Sequence, residues 1–178
     1  MFMFEFLFRK NKPVDPDPAV VPSHAPAVTQ AAAPGTAIHY HPELIGKLKQ
    51  DHQALLALFG SIQTAFMEGR LQTVVGHLDT FRTGIQSHLL IENVRLYIYL
   101  EHQLADDETS YQLIHDFRHE MDGIGKAVVG FLAKYKDLSV DTNLVASFGR
   151  DLEAVGKVLV DRIQREEATL YPLYSPAY

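Results

Sequence analysis

The stretch His88-Leu89-Leu90-Ile91-Glu92 lies inside a long pattern of apolar residues that is typical of an amphipathic helix. Members of the pattern are three or four residues apart, so they fall on one stripe of the helix. They are Leu78, Phe81, Ile85, His88, Glu92 and Leu96. Because this stripe is expected to face a core, an imidazole and a carboxylate one turn apart point to the interior. Such a pair can hold a metal ion. Alternatively, the imidazole has its hydrogen-bond partners within the core and the carboxylate pairs with another cation.

Two further segments place polar residues in an otherwise apolar helical seam. The first seam contains His52 and reads Ile45, Leu48, His52, Leu55, Phe59, Ile62 and Phe66. The last seam contains Arg162 and Glu166 and reads Phe148, Leu152, Val155, Leu159, Arg162 and Glu166. One such placement has little meaning by itself, but three on separate helices predict a shared polar layer inside a helical bundle.

The order of helical patterns and turns predicts the fold. Four long helices are expected, approximately over 42–67, 71–103, 108–135 and 142–170, with short turns between them. Ala105-Asp106-Asp107 is expected to end the second helix and to cap the third. Long helices joined by short turns predict an all-α, up-down-up-down four-helix bundle over residues 37–178.

Residues 1–36 are predicted to lie outside the bundle core. Phenylalanine stands at positions 2, 4, 6 and 8, and proline then recurs at 13, 16, 18, 22, 26 and 34. This proline spacing is incompatible with a helix interior and indicates an extended Pro-rich linker. The Phe-rich peptide before it is interpreted as a segment that docks on the bundle, binds a protein partner or touches a membrane surface. Of these we favour docking or a protein partner.

Composition excludes several classes of function. The 178 residues carry a formal net charge of −6 and include no cysteine, which argues against a nucleic-acid surface, disulfides and thiolate metal sites. No apolar run reaches the ~20 residues of a transmembrane helix, and the N-terminus is unlike a secretory signal. A cytoplasmic location is therefore predicted. No nucleophile stands beside a base in a recognisable spacing, so an enzyme is not expected.

The third predicted helix is ambiguous as a source of metal ligands. His115 and His119 are one turn apart, which is a good chelating interval. The helix nevertheless has a clean apolar seam, and both imidazoles lie roughly 150° or more from its centre at ~100° per residue. They are therefore expected to point away from the core. The seam residue at the level of the polar layer is Met121.

These motifs resemble the hemerythrin-like HHE cation-binding domain family. The resemblance covers roughly residues 40–174 and is carried by Asp51-His52, by His88-Leu-Leu-Ile-Glu92 and by Glu166-Glu167-Ala-Thr-Leu170-Tyr171-Pro172. It implies a four-helix bundle with a non-haem iron or di-iron site that serves as a carrier or sensor of oxygen, nitric oxide or redox state. By position, the resemblance implies His52 and His88 as terminal ligands and Glu92 and Glu166 as bridges. His119 is the nearest match to the third-helix ligand.

One departure from the family supports a different function. The family has a His one turn before the last carboxylate, where this chain has Arg162. A fainter resemblance links Arg162-Ile-Gln-Arg-Glu166-Glu167 to the Rsd/AlgQ regulators, which bind a housekeeping sigma factor. The alternative is therefore a metal-free or degenerate bundle that regulates a protein partner, with Arg162 replacing the charge of the metal.

Overall fold

The computed structural model of the chain describes residues 32–176. Within this range the architecture is four long helices, and the single backbone bridge, between Ala32 and His39, is isolated. The first helix is α1 (Leu44–Met67), and the second comprises α2 (Leu71–Ile91), a π-helical turn (Glu92–Tyr97) and α3 (Ile98–Gln103). The third helix is α4 (Glu108–Lys134). The fourth comprises a 3-10 turn (Thr142–Leu144), α5 (Val145–Arg165), a second π-helical turn (Glu166–Leu170) and a 3-10 turn (Tyr171–Leu173). The predicted all-α four-helix bundle is confirmed.

The connections between the helices follow from local sequence. After α1 the chain turns at Gly69, whose φ of 71° is readily adopted only by a residue without Cβ. The N–H of Arg70 donates to the carbonyl of Ala65 at 2.9 Å and ties the turn to the end of the helix. Before α4, the side chain of Asp107 accepts hydrogen bonds from the N–H groups of Thr109 and Ser110. Asp107 is thus the cap that the sequence predicted.

The buried apolar residues form two clusters rather than one. The larger cluster fills the end of the bundle near Gly69 and includes Leu55, Phe59, Ile62, Val74, Leu78, Phe81, Ile85, Val128, Phe131, Phe148, Leu152 and Leu159. The smaller cluster fills the opposite end and includes Leu44, Leu48, Leu96, Tyr97, Tyr99, Leu100, Ile114, Phe117, Leu170 and Tyr171. Along α1 the change from one cluster to the other occurs at His52, and along the fourth helix it occurs between Leu159 and Leu170. The polar seam residues therefore separate two apolar halves of one bundle.

The chain before α1 also contacts the bundle. Ala33 is buried in the smaller cluster, and its N–H donates to the carbonyl of Ile38 at 2.8 Å. A turn of residues 32–39 therefore packs on the bundle on both sides of the boundary predicted after residue 36. The Phe-rich peptide and most of the Pro-rich segment lie outside the described residues. Among the helices of residues 32–176, none is long and apolar enough to cross a membrane.

The close approach of α5 to α1 depends on Gly156. A Cβ at this position would lie 2.6 Å from Cε1 of Phe59, whose ring is buried against Phe81. In contrast, no heavy atom lies within 4 Å of the corresponding position at Gly130, which is exposed on α4. Both glycines are inside helices, so their intrinsic helix propensities are comparable.

We expect Gly156→Ala to lower the free energy of unfolding by about 1–2 kcal/mol, because overpacking outweighs the gain in helix propensity. Gly130→Ala is the matched control and should raise the free energy of unfolding by up to about 1 kcal/mol. Chemical denaturation of both variants measures the difference. Equal stabilisation by the two substitutions would show that the contact between Gly156 and Phe59 does not limit packing.

Candidate metal centre

A layer of buried polar side chains crosses the bundle between the two apolar clusters. Within residues 32–176, the buried charged and imidazole side chains are His52, His88, Glu92, Arg162 and Glu166. They come from α1, α2, the first π-helical turn, α5 and the second π-helical turn. We call these five residues the polar layer. Its position confirms the common seam phase from which the layer was predicted.

Each of the two π-helical turns begins at a carboxylate of the polar layer. A π-helical turn has hydrogen bonds between residues i and i+5, and the N–H of Tyr171 donates to the carbonyl of Glu166 in this way. Residues i and i+5 thereby come to the same side of the helix. Tyr97 follows Glu92, and Tyr171 follows Glu166, by this interval, and both tyrosines are buried.

The two tyrosines complete the hydrogen bonding of the polar layer. The hydroxyl of Tyr171 donates to Glu92 Oε1 at 3.0 Å and lies 3.2 Å from His52 Nε2. The hydroxyl of Tyr97 accepts from Arg162 Nη2 at 2.6 Å. Both tyrosines were missed as site residues because an α-helical period places them off the stripe of their glutamates. A signal was present, since Glu92-Asn-Val-Arg-Leu96-Tyr97 and Glu166-Glu-Ala-Thr-Leu170-Tyr171 share Glu, Leu and Tyr at the same positions.

The two histidines turn Nε2 towards the carboxylates of the layer. His52 Nε2 lies 3.3 Å from Glu166 Oε2, and His88 Nε2 lies 3.8 Å from Glu92 Oε2. His52 Nδ1 lies 2.9 Å from Glu167 Oε1, an acceptor that requires the proton to be on Nδ1. The carboxylate that faces His88 Nδ1 is Asp51, at 4.0 Å. Carboxylates behind the histidines are typical of metal sites, where they fix the ring orientation.

Four of these residues offer ligand atoms that converge. His52, His88, Glu92 and Glu166 each contribute one such atom, and the four atoms lie within 4.8 Å of one another. Glu92 Oε2 and His88 Nδ1 are buried and have no hydrogen-bond partner. A buried polar atom without a partner is costly, and a cation beside Glu92 would remove that cost. Two imidazoles and two carboxylates are suitable ligands for iron, zinc or manganese, so the residues fit a metal ion.

Burial and nearby charges set the protonation of three of these four residues. Burial, together with the charge of His52, lowers the pKa of His88 to about 4, so this ring is neutral at pH 7. Burial and the charge of Glu166 raise the pKa of Glu92 to about 8. Burial acts in the same direction on Glu166, but its contacts with His52 and Arg162 outweigh burial and hold its pKa below the usual value. The layer therefore stabilises one carboxylate charge well and the second poorly.

Arg162 is held on three sides and lies within the layer. Its Nε donates to Glu166 Oε1 at 2.5 Å, its Nη2 to Tyr97 and its Nη1 to Glu120 Oε2 at 3.1 Å. The guanidinium also lies over the ring of Phe117, with 4.5 Å between its carbon and the ring centroid. Only 2% of the residue is exposed. The sequence predicted that Arg162 points inward, and this orientation is confirmed.

The predicted ligand His119 does not reach the polar layer. His119 and His115 are both on the exposed face of α4, whereas the buried seam of this helix at the level of the layer is occupied by Met121. The helical phase explains this placement, because both histidines are on the side opposite the seam. The candidate ligand set is therefore corrected to His52, His88, Glu92 and Glu166.

A small cavity of about 30 Å³ adjoins the layer. Most of its lining is apolar and belongs to the larger cluster, including Leu55, Phe59, Phe81 and Ile85. Its polar lining consists of His52, His88, Arg162 and Glu166. A cavity of this volume has room for one or two molecules of the size of water.

Comparison with known families agrees with this geometry. The family model of the Hemerythrin HHE cation binding domain matches residues 43–174 of the 178. No curated protein and no solved structure matches the chain. The matched range contains the four helices and all five residues of the polar layer. The chain therefore belongs to the hemerythrin HHE cation-binding domain family.

Proposed function

We propose that this protein binds iron through His52, His88, Glu92 and Glu166 and acts as a carrier or sensor rather than as an enzyme. The observation that carries the proposal is the convergence of four buried ligand groups, one of which, Glu92 Oε2, has no hydrogen-bond partner. Buried polar atoms in proteins are normally hydrogen-bonded, so an unpaired carboxylate oxygen that faces the other three groups supports a bound cation.

The choice of iron rests on the chemistry of the ligands and on the family. Imidazole and carboxylate together suit iron, and the absence of cysteine removes the thiolates that favour other metals. Iron held by His52, His88, Glu92 and Glu166 would supply a redox-active centre that responds to oxygen or nitric oxide. The remaining contribution is that of the chain itself, which holds the ligands in one layer and orients each imidazole.

The surroundings of the layer suit a small, uncharged signal molecule. Apolar clusters lie on both sides of the layer and exclude bulk water from it. The adjoining cavity of about 30 Å³ is lined mainly by apolar side chains, and it also contacts both histidines. A diatomic gas would fit such a volume, whereas a metabolite would not. This supports oxygen or nitric oxide as the signal.

Metal analysis of anaerobically purified protein tests the proposal. We expect iron in the wild type after growth with ample iron. His88→Ala should lose most of this iron, because a ligand is removed. His119→Ala is the matched control, since it removes an exposed imidazole from α4, and it should keep the iron. Wild-type protein without iron would refute the proposal, and loss of iron from His119→Ala would return that residue to the ligand set.

A second candidate function is favoured by the contacts of Arg162. Its guanidinium already pairs with Glu166 inside the layer, so it supplies positive charge that a metal would otherwise supply. In this alternative the bundle is metal-free and regulates a protein partner, for example a sigma factor. The Phe-rich peptide, which the sequence predicts to dock on the bundle or to bind a protein partner, would suit such a partner and lies outside the described residues.

Replacement of Arg162 by Ala separates the two candidates. In the metal-free protein we expect the free energy of unfolding to fall by ~3–5 kcal/mol, because a buried carboxylate loses its partner. In iron-loaded protein the loss should be much smaller, since the metal balances the same carboxylate. Arg165→Ala is the control, because Arg165 also pairs with Glu120 but is largely exposed. If Arg162→Ala is harmless without metal, Arg162 is not the internal counter-ion and the metal-free alternative fails.

A further inference from the structure

We infer that the guanidinium of Arg162 takes the place of a second cation, so that the polar layer binds one metal ion per chain and not two. This inference rests on the proposed function, since it concerns the number of ions that the same layer holds. In this inference the metal ion lies on the side of the layer that contains His52, and Arg162 occupies the other side.

Glu166 shows where the layer divides. Its Oε2 faces His52 Nε2 at 3.3 Å, and its Oε1 accepts a hydrogen bond from Arg162 Nε at 2.5 Å. The carboxylate of Glu166 thus lies between two positions, as a carboxylate that bridges two metal ions does. One of these positions is already occupied by the guanidinium of Arg162.

Arg162 is built into its position and is not a mobile surface residue. It bonds to Glu166, Tyr97 and Glu120, and it lies over Phe117. A guanidinium stays protonated in proteins and has no lone pair, so it cannot act as a ligand. Displacing it would leave Tyr97 and Glu166 without their partner in a buried environment.

The side of the layer that contains Arg162 lacks nitrogen ligands. The side chains that hydrogen-bond to the guanidinium are those of Tyr97, Glu120 and Glu166 among the described residues. From α4 the seam contributes the thioether of Met121 to this region, while His119 is exposed. Both imidazoles of the layer are on the other side, where His52 and His88 lie with 4.7 Å between their ring centroids. A second ion on this side would therefore find no imidazole ligand among the described residues.

The charge of Arg162 also opposes a second ion. Its guanidinium carries one positive charge and pairs with Glu166 inside the layer. A second cation beside this guanidinium would bring like charges together in an apolar core, where charge repulsion is strong.

An anaerobic titration with Fe²⁺ and a count of bound ions per chain tests the inference. We expect one ion in the wild type. Arg162→His removes the built-in charge and adds an imidazole, so its count should rise above one and approach two. Arg162→Lys keeps the charge without an imidazole, and Arg165→His makes the same substitution outside the layer. Both controls should remain at one.

A titration with Mn²⁺ followed by electron paramagnetic resonance gives an independent readout. The wild type should show the spectrum of an isolated ion, and Arg162→His that of a spin-coupled pair. Two ions in the wild type would overturn the inference and leave the proposed function intact, whereas no ion would overturn both. A folded Arg162→His variant that still binds one ion would also overturn the role of Arg162. If this variant does not fold, the wild-type count decides.

Discussion

Two carboxylates in the middle of a helical bundle are the constraint on which the rest of the structure depends. Glu92 and Glu166 are almost completely buried, and each begins a π-helical turn. A carboxylate taken out of water needs hydrogen bonds and positive charge close by. Arg162, His52 and Tyr171 meet that need in part, and they are close enough to do so because they share the same level of the bundle.

The outer carboxylates show how the helices are linked at this level. Asp51 and Glu167 are each adjacent in sequence to a residue of the polar layer, yet each faces the histidine of a different helix. Asp51 belongs to α1 but faces His88 on α2, and Glu167 belongs to the fourth helix but contacts His52 on α1. The ring of His52 is therefore oriented by a hydrogen bond from another helix, whereas His88 faces Asp51 without one.

Helical phase was sufficient to predict much of this arrangement from the sequence. A period of 3.6 residues predicts the seam positions of His52, His88, Glu92, Arg162 and Glu166. It also predicts the exposure of His119, which family resemblance alone would have made a ligand. The same period fails at the two π-helical turns, where an extra residue per turn brings Tyr97 and Tyr171 to the layer. The contact of Arg162 with Glu120 was also beyond the sequence, because it depends on the packing of α4 against α5.

The division of the core into two apolar clusters has a consequence for cooperativity. Each half of the bundle has its own hydrophobic contacts, and the halves are joined through a level where ionic and hydrogen-bonding contacts replace apolar ones. The same helices run through both halves, so the contacts at that level add to the continuous backbone in coupling the unfolding of one half to that of the other. A cation bound at this level, as proposed, would strengthen that coupling, so that a chemical event at a few atoms would change the dynamics of whole helices.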